Sequence, residues 1–325
     1  MKKRILSGMR PTGKLHIGHY VGALENWIKL QDEYSNYHLI ADYHVLTTSL
    51  ETSEIYNNSI EMVIDWLAAG LDAEKAPIFR QSQIKEHTEL FLILSMLITK
   101  ARLERNPTLK EQVRDLNIEN LIYGHLGYPV LQSADIMLYK GEAVPVGDDQ
   151  VPHVEITREI ARKFNSQYGE VFPEPEPLLT NFARLPGLDG QAKMSKSLNN
   201  TILLSDEPDI VNAKMKKAVT DILKVRRNDP GRPEICLVFT YHKRFNPTEI
   251  DEIAVNCRSG ALGCVECKAK CSSKINEFLA PIIEKRKYYE SNLDIVKDIL
   301  VNGEKIAHLT AQNTMAEVRT NMKLG

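Results

Sequence analysis

Residues 4–30 pass from a short apolar run, Arg4-Ile5-Leu6-Ser7-Gly8, through a loop holding Pro11 and Gly13 into a segment with Val21, Leu24, Trp27 and Ile28 on one helical face. The same alternation recurs. Residues 37–42 read as a strand, 52–70 as a helix with Ile60, Val63, Ile64 and Leu67 at helical spacing, 76–79 as a strand and 86–103 as a helix. Val144-Pro145-Val146-Gly147 reads as a later strand, followed by a helix over 152–165 with Pro152 in its first turn. Strands alternating with helices predict an α/β fold with a parallel sheet covered on both faces. Such sheets bind ligands at the carboxyl ends of their strands, where the 9–19 loop falls. Residues 171–190, rich in Pro and Gly, read as loop, and the pattern after Ser205 is helical. A boundary near 200 divides the chain into an α/β unit, 1–200, and a helical unit, 201–325.

Composition narrows the setting. The 325 residues allow one large or two ordinary domains, and 43% hydrophobic with 26% charged residues suits a globular protein. No run approaches the ~18 apolar residues of a membrane span, and the start lacks the apolar core of a secretory signal, so the expected location is the cytoplasm. A net charge of −2 means that any nucleic-acid contact must come from local basic patches.

Two strings carry phosphate chemistry. In the first, Pro11-Thr12-Gly13-Lys14-Leu15-His16-Ile17-Gly18-His19, a loop feeds a helix N-terminus, where backbone N–H groups favour an anion. Gly18 would allow close approach of a ligand, and His16 and His19 can donate ring N–H to phosphate; the plain structural reading is a turn whose histidines satisfy the backbone. In the second, Lys193-Met194-Ser195-Lys196-Ser197, two lysines three apart can close over a polyphosphate, where a solvated basic loop is the ordinary alternative. A third constellation lies on a half-buried helix over 128–139, where Tyr128, Gln132 and Asp135 share a face. A buried Asp135 needs a partner, either a structural hydrogen bond or a ligand N–H. Gly147-Asp148-Asp149-Gln150 closes a strand and is a candidate ribose and amino-acid contact.

These residues resemble the bacterial-type tryptophanyl-tRNA synthetases, class I aminoacyl-tRNA synthetases with a Rossmann-like catalytic domain and a helical anticodon-binding region. The likeness runs from Ser7-Gly8-Met9-Arg10 through Val144–Gln150 and His153…Asn165 to the lysine loop. It implies ATP-dependent ligation of L-tryptophan to tRNA(Trp) through a tryptophanyl-adenylate, with Mg²⁺ accompanying ATP. Asp135 would accept the indole N–H, and an amino acid lacking that donor would strand the carboxylate, a situation that can reject analogues by about 10⁴–10⁵-fold. Tyr128, Gln132 and Gln150 would complete the amino-acid site. Arg10, Pro11, Thr12, Gly18, His19, Gly147, Asp148, Asp149, Leu185, Met194, Ser195 and Ser197 would bind ATP, with His16, His19, Lys193 and Lys196 acting on its phosphates. Flanking Gly187 and Gly190 are expected to let the lysine loop move. The chain departs from the commonest family pattern with His-Ile-Gly-His for Thr-Ile-Gly-Asn, Arg10 for Gln and Gln132 for Met. A homodimer is also implied.

All five cysteines lie between Cys236 and Cys271, spaced C-x20-C-x6-C-x2-C-x3-C. Cys236, Cys257, Cys264 and Cys267 could hold Zn²⁺ or an iron–sulfur cluster, with Cys271 spare. The segment is similar to that of a synthetase subset carrying a 4Fe–4S cluster, whose first gap is usually two residues longer. Lys214, Lys216, Lys217, Lys224, Arg226 and Arg227 could form an RNA-facing strip or a solvated helical face. The rival readings are a stand-alone nucleotidylyltransferase, which would be about half as long, a tyrosyl-tRNA synthetase, and a non-catalytic RNA-binding or redox-sensing relative, in which the phosphate strings should have decayed.

Overall fold

The computed structural model describes residues 2–115, 118–179, 185–190, 194–196 and 198–324. Five parallel strands, β1 (Arg4–Met9), β2 (Ser35–Ile40), β3 (Ile78–Arg80), β4 (Ala143–Val146) and β5 (Glu176–Leu179), stand in the order β3-β2-β1-β4-β5. The expected parallel α/β sheet is therefore present. One strand was not anticipated: β5 falls within the stretch read as loop. Its sequence, Glu-Pro-Leu-Leu, lacks strand alternation, and Pro177 is tolerated because β5 is a sheet edge.

Successive side chains of β2 and β3 enter opposite hydrophobic clusters, as the pleat requires: Ile40 and Ile78 join one, Leu39 and Phe79 the other. The first helical run is α1 (Ile17–His19), a π turn (Tyr20–Leu24) and α2 (Glu25–Leu30). Then come α3 (Ile55–Ala69), α4 (Glu86–Ser95), α5 (Lys100–Glu104), α6 (Pro107–Asp115), α7 (Tyr123–Leu138) and α8 (Val151–Tyr168). The segment read as one helix over 86–103 is broken between α4 and α5.

Beyond residue 200 lie α9 (Pro208–Lys217), α10 (Leu237–Phe245), α11 (Ile250–Arg258), α12 (Cys264–Ser291) and α13 (Leu293–Met322). These helices share the two cores. Val211, Leu279 and Leu300 pack with α3, and Ala307, Met315 and Val318 pack with α4, α7 and α8. α13 crosses β3 at Gly303, whose Cα lies against the Ile78 backbone, and it is tied on by Arg80–Glu304 at 2.6 Å and Tyr37–Thr310 at 3.1 Å. Among the described residues no helix is long and apolar enough to cross a membrane.

Candidate active site

The strand order reverses between β1 and β4, and the crevice outside their carboxyl ends is where such sheets take ligands. The loop after β1 enters α1 there. His16 and His19 cap this short helix reciprocally: His19 N–H donates to His16 Nδ1 at 3.3 Å, and His16 N–H donates to His19 Nδ1 at 3.2 Å. Their rings stack at 3.6 Å. The backbone-satisfying role of these histidines is thus present, and it also fixes their chemistry. A neutral ring that accepts at Nδ1 carries its proton on Nε2 and presents a donor. Gly18 has no room for a side chain, because a Cβ would stand 2.9 Å from His16 Nδ1 and 3.0 Å from Met194 Sδ.

The lysine loop sits on this turn. Lys196 Nζ donates to the Thr12 carbonyl at 2.6 Å, and Met194 is buried beside Gly18. Partial desolvation lowers the Lys196 ammonium pKa, while the Asp65 carboxylate works against that. Ser195 N–H donates to Asn200 Oδ1 at 2.7 Å, and the Asn200 amide reaches Asp189 at 3.0 Å. Residues 202–204 lie alongside the signature, with Ile17 N–H on the Ile202 carbonyl and Leu204 N–H on the Leu15 carbonyl, both at 2.9 Å. Of the two glycines expected to free the loop, Gly190 takes a left-handed φ of 80°, but Gly187 is packed, since a Cβ would meet Asp189 Oδ1 at 2.8 Å. Lys193 and Ser197 lie outside the described residues. Arg10 reaches Thr48 Oγ1 at 3.3 Å, and Pro11 and Leu185 are buried.

Opposite stands α7, whose i, i+4, i+7 spacing brings Tyr128, Gln132 and Asp135 onto one face as expected. Asp135 is 2% exposed and is surrounded by donors that the sequence did not single out. Oδ1 faces Gln81 Nε2 and His87 Nδ1, each at 2.7 Å, and Oδ2 faces His44 Nε2 at 2.9 Å. Burial opposes ionisation, but the two histidines outweigh it and hold the carboxyl at about 2. A carboxylate has about four lone-pair positions. Three are filled from within, and the fourth, on Oδ2, remains for a further donor. The expectation that an amino acid lacking N–H strands this charge is therefore revised.

Tyr128 OH lies 2.9 Å from His153 Nε2, and Asn106 Nδ2 lies 3.0 Å from His153 Nδ1. Burial pushes the imidazole down to about 4, so it is neutral at pH 7. With Nδ1 accepting from Asn106, Nε2–H donates to the phenol oxygen, and the Gln112 side chain is a second hydrogen-bond partner of the phenol. Gly147 follows β4 and caps a 3-10 turn of Asp148, Asp149 and Gln150 before α8, with Asp149's carbonyl held by Thr108 at 2.7 Å.

The cysteines gather from three elements. Cys236 precedes α10, Cys257 lies in the last turn of α11, and Cys264 and Cys267 lie in the first turn of α12. All four line one small cavity with Val238 and Leu262. Burial, reinforced by Cys236, Cys257 and Cys264, raises the Cys267 thiol to about 12. Among the described residues no three His, Cys, Asp or Glu side chains converge to hold a single metal ion. The four thiols are a thiophilic donor set, and Asp221 and Lys224 line the same cavity. Cys271 is fully buried and does not line the cavity. The basic strip is only partly a strip: Lys224 is buried at this cavity, and Lys214 is paired to Asp206 at 2.5 Å.

This fold and site define a class I aminoacyl-tRNA synthetase. The chain belongs to the family of class I tRNA synthetases (W and Y), whose family model matches residues 1–280. Its relatives include the tryptophan–tRNA ligase of Thermotoga maritima, 48% identical over 326 residues and spanning 99% of both chains. The tryptophan–tRNA ligase of Aquifex aeolicus is 43% identical and spans 99% of this chain and 100% of its own. Among solved structures, tryptophanyl-tRNA synthetase from Campylobacter jejuni complexed with ADP and tryptophan superposes with a TM-score of 0.88 at 33% identity, over 99% of this chain and 100% of that one.

Proposed function

We infer that this protein is a tryptophan–tRNA ligase that activates L-tryptophan with ATP and transfers it to tRNA(Trp), releasing AMP and pyrophosphate. The observation that carries the reading is the seating of the lysine loop on the first signature at the switch point of the sheet, through Lys196 on the Thr12 carbonyl, across from the paired Asp135. The tryptophan carboxylate attacks the α-phosphate of ATP; the bond to the pyrophosphate leaving group breaks, and the adenylate forms. This step needs no general base, because the nucleophile is already ionised. Catalysis is then positioning and charge stabilisation. His16 and His19 donate through Nε2 to phosphate oxygens, and Lys196 and Lys193 supply positive charge, with Mg²⁺ entering as part of the substrate. Arg10, Pro11, Thr12, Gly18, Gly147, Asp148, Asp149, Leu185, Met194 and Ser195 belong to the nucleotide site, and Lys193, Lys196 and Ser197 also bind ATP. Asp135 accepts the indole N–H at its fourth lone-pair position, Gln132 packs beside the ring, and Tyr128 and Gln150 hold the amino-acid backbone groups. The adenosine ribose at the end of tRNA then attacks the activated carbonyl and displaces AMP.

Residues 1–200 serve as the catalytic unit and 201–325 as the anticodon-binding unit of a cytoplasmic enzyme. Cys236, Cys257, Cys264 and Cys267 would hold a 4Fe–4S cluster, which supplies a structural cross-link between α10, α11 and α12. A single Zn²⁺, with Zn–S bonds of about 2.3 Å, would need the sulfurs drawn closer together. Exposed Leu92 and Met96 at the end of α4, with Ile122 and Tyr123 at the start of α7, favour a homodimer through this face. The test of the activity is amino-acid-dependent ATP–pyrophosphate exchange on anaerobically purified protein. Exchange with tryptophan alone is expected. Exchange with tyrosine instead overturns the pocket assignment, and none with either overturns the enzyme.

A further inference from the structure

Helix α12 reaches the first signature at two places. Near its C-terminal end Arg286, 2% exposed, donates to Asp65 Oδ1, and Asp65 Oδ2 accepts the Leu15 N–H at 2.6 Å, one residue before His16. Two turns earlier Phe278 sets its ring edge against Tyr20, one residue after His19, with centroids 4.9 Å apart. The guanidinium is shared further with Glu61, one turn before Asp65 on α3, and with Glu290 at 3.1 Å. Asp65 is fully buried, and its α3 neighbours Val63, Ile64, Trp66 and Leu67 are core residues.

Stability alone gives little reason for this arrangement, since a buried ion pair is commonly no better than apolar residues of the same volume. Its distinguishing product is direction. The planar guanidinium fixes the carboxylate, and the carboxylate fixes the one backbone N–H on which the turn into His16 hangs. We propose that Asp65 and Arg286 are positioning residues for the phosphate step, transmitting the seating of α12 to the 13–19 loop. The proposal rests on the ligase reading for its kinetic consequence but not for its structural one. Asp135 on α7 is held from the turns after β2 and β3 and from α4, away from this chain of contacts, so ATP and tryptophan should respond differently.

The experiment compares wild type with Arg286→Lys, Asp65→Asn and the double variant Asp65→Asn/Arg286→Met, which leaves no unpaired buried charge if a single variant fails to fold. In pyrophosphate exchange the KM for ATP is expected to rise about tenfold or more in Arg286→Lys and the double variant. The KM for tryptophan should stay within about twofold. Hydrogen exchange without substrates should show faster exchange over residues 13–19. Folded variants with unchanged protection of 13–19 and unchanged KM for ATP overturn the proposal, as does an equal rise in both KM values. If wild type exchanges no pyrophosphate, the ligase reading falls and hydrogen exchange alone decides: loss of protection confined to 13–19 sustains the positioning role, and unchanged protection overturns it.

Discussion

Replacing Gly303 by Ala reverses the sign that helix propensity alone would give. In the interior of a 30-residue helix, Gly→Ala ordinarily stabilises by up to about 1 kcal/mol. Here the added Cβ would stand 2.8 Å from the Ile78 carbonyl carbon and 2.9 Å from its nitrogen, and closer still to its oxygen. Ordinary contact needs about 3.5 Å between carbons, so α13 must draw back from β3 by roughly 1 Å. Both sides of the contact are backbone, and no rotamer relieves it. Overpacking of this kind costs about 1–3 kcal/mol, and the retreat also stretches Arg80–Glu304 and Tyr37–Thr310. After the propensity gain, a net loss of about 1 kcal/mol is expected, read as a fall of a few tenths molar in the urea midpoint. Gly124→Ala is the control: nothing lies within 4 Å of a Cβ there, so its midpoint should hold or rise. β3 leads into Gln81, so Gly303→Ala should also raise the KM for tryptophan. A Gly303→Ala midpoint at or above wild type would refute the close crossing.

Further outcomes can be checked directly. Asp135→Asn removes the ionised acceptor and should lower kcat/KM for tryptophan roughly 10- to 100-fold, with the KM for ATP little changed in pyrophosphate exchange. Burial holds His38 at about 3 and His153 at about 4. Between pH 6.5 and 4 the unfolded chain therefore binds protons that the native state does not, and stability falls with acid by up to about 1.4 kcal/mol per pH unit for each histidine. His38→Phe, whose ring can replace an imidazole stacked 5.3 Å from Trp27, should remove one such share, and an unchanged slope in urea titrations would count against it. Gly231→Ala places a Cβ 2.6 Å from Cys257 Sγ and should reduce iron and acid-labile sulfide per chain after anaerobic reconstitution, whereas Cys271→Ser should not. Wild type that takes up no iron and acid-labile sulfide would count against the cluster, and equal contents in Gly231→Ala and wild type would count against this crowding of Cys257.

Local pattern carried the first four strands, the α/β class, the shared face of Tyr128, Gln132 and Asp135 on α7 and the presence of α8, because each rests on neighbours in sequence. β5 escaped because an edge strand needs neither alternation nor every N–H, and Pro177, with Pro173 and Pro175 before it, mimics a loop. The partners of Asp135 escaped for a different reason. His44, Gln81 and His87 come from three separate segments, and only the fold brings them together. Asp65 did leave a trace, a lone carboxylate inside the apolar run Met62–Leu67, but nothing in the chain names Arg286, far downstream, as its counterpart. The shared cores of the two halves likewise depend on α12 and α13 turning back across the sheet, which no local periodicity encodes.

The internal donors around Asp135 also bear on what the pocket will mistake for its substrate. With the indole N–H on Asp135 as proposed, an indole isostere with sulfur or carbon in place of N–H would forfeit one hydrogen bond to an anion and nothing more, because His44, Gln81 and His87 already solvate the charge. That loss is about 1.5–3 kcal/mol, or roughly 10- to 150-fold, far short of the penalty for abandoning a bare carboxylate. Exclusion of smaller aromatic amino acids then falls to the contour of the cavity. A ring of the right outline should be charged onto tRNA at high concentration, which makes this enzyme a suitable starting point for introducing tryptophan analogues into proteins.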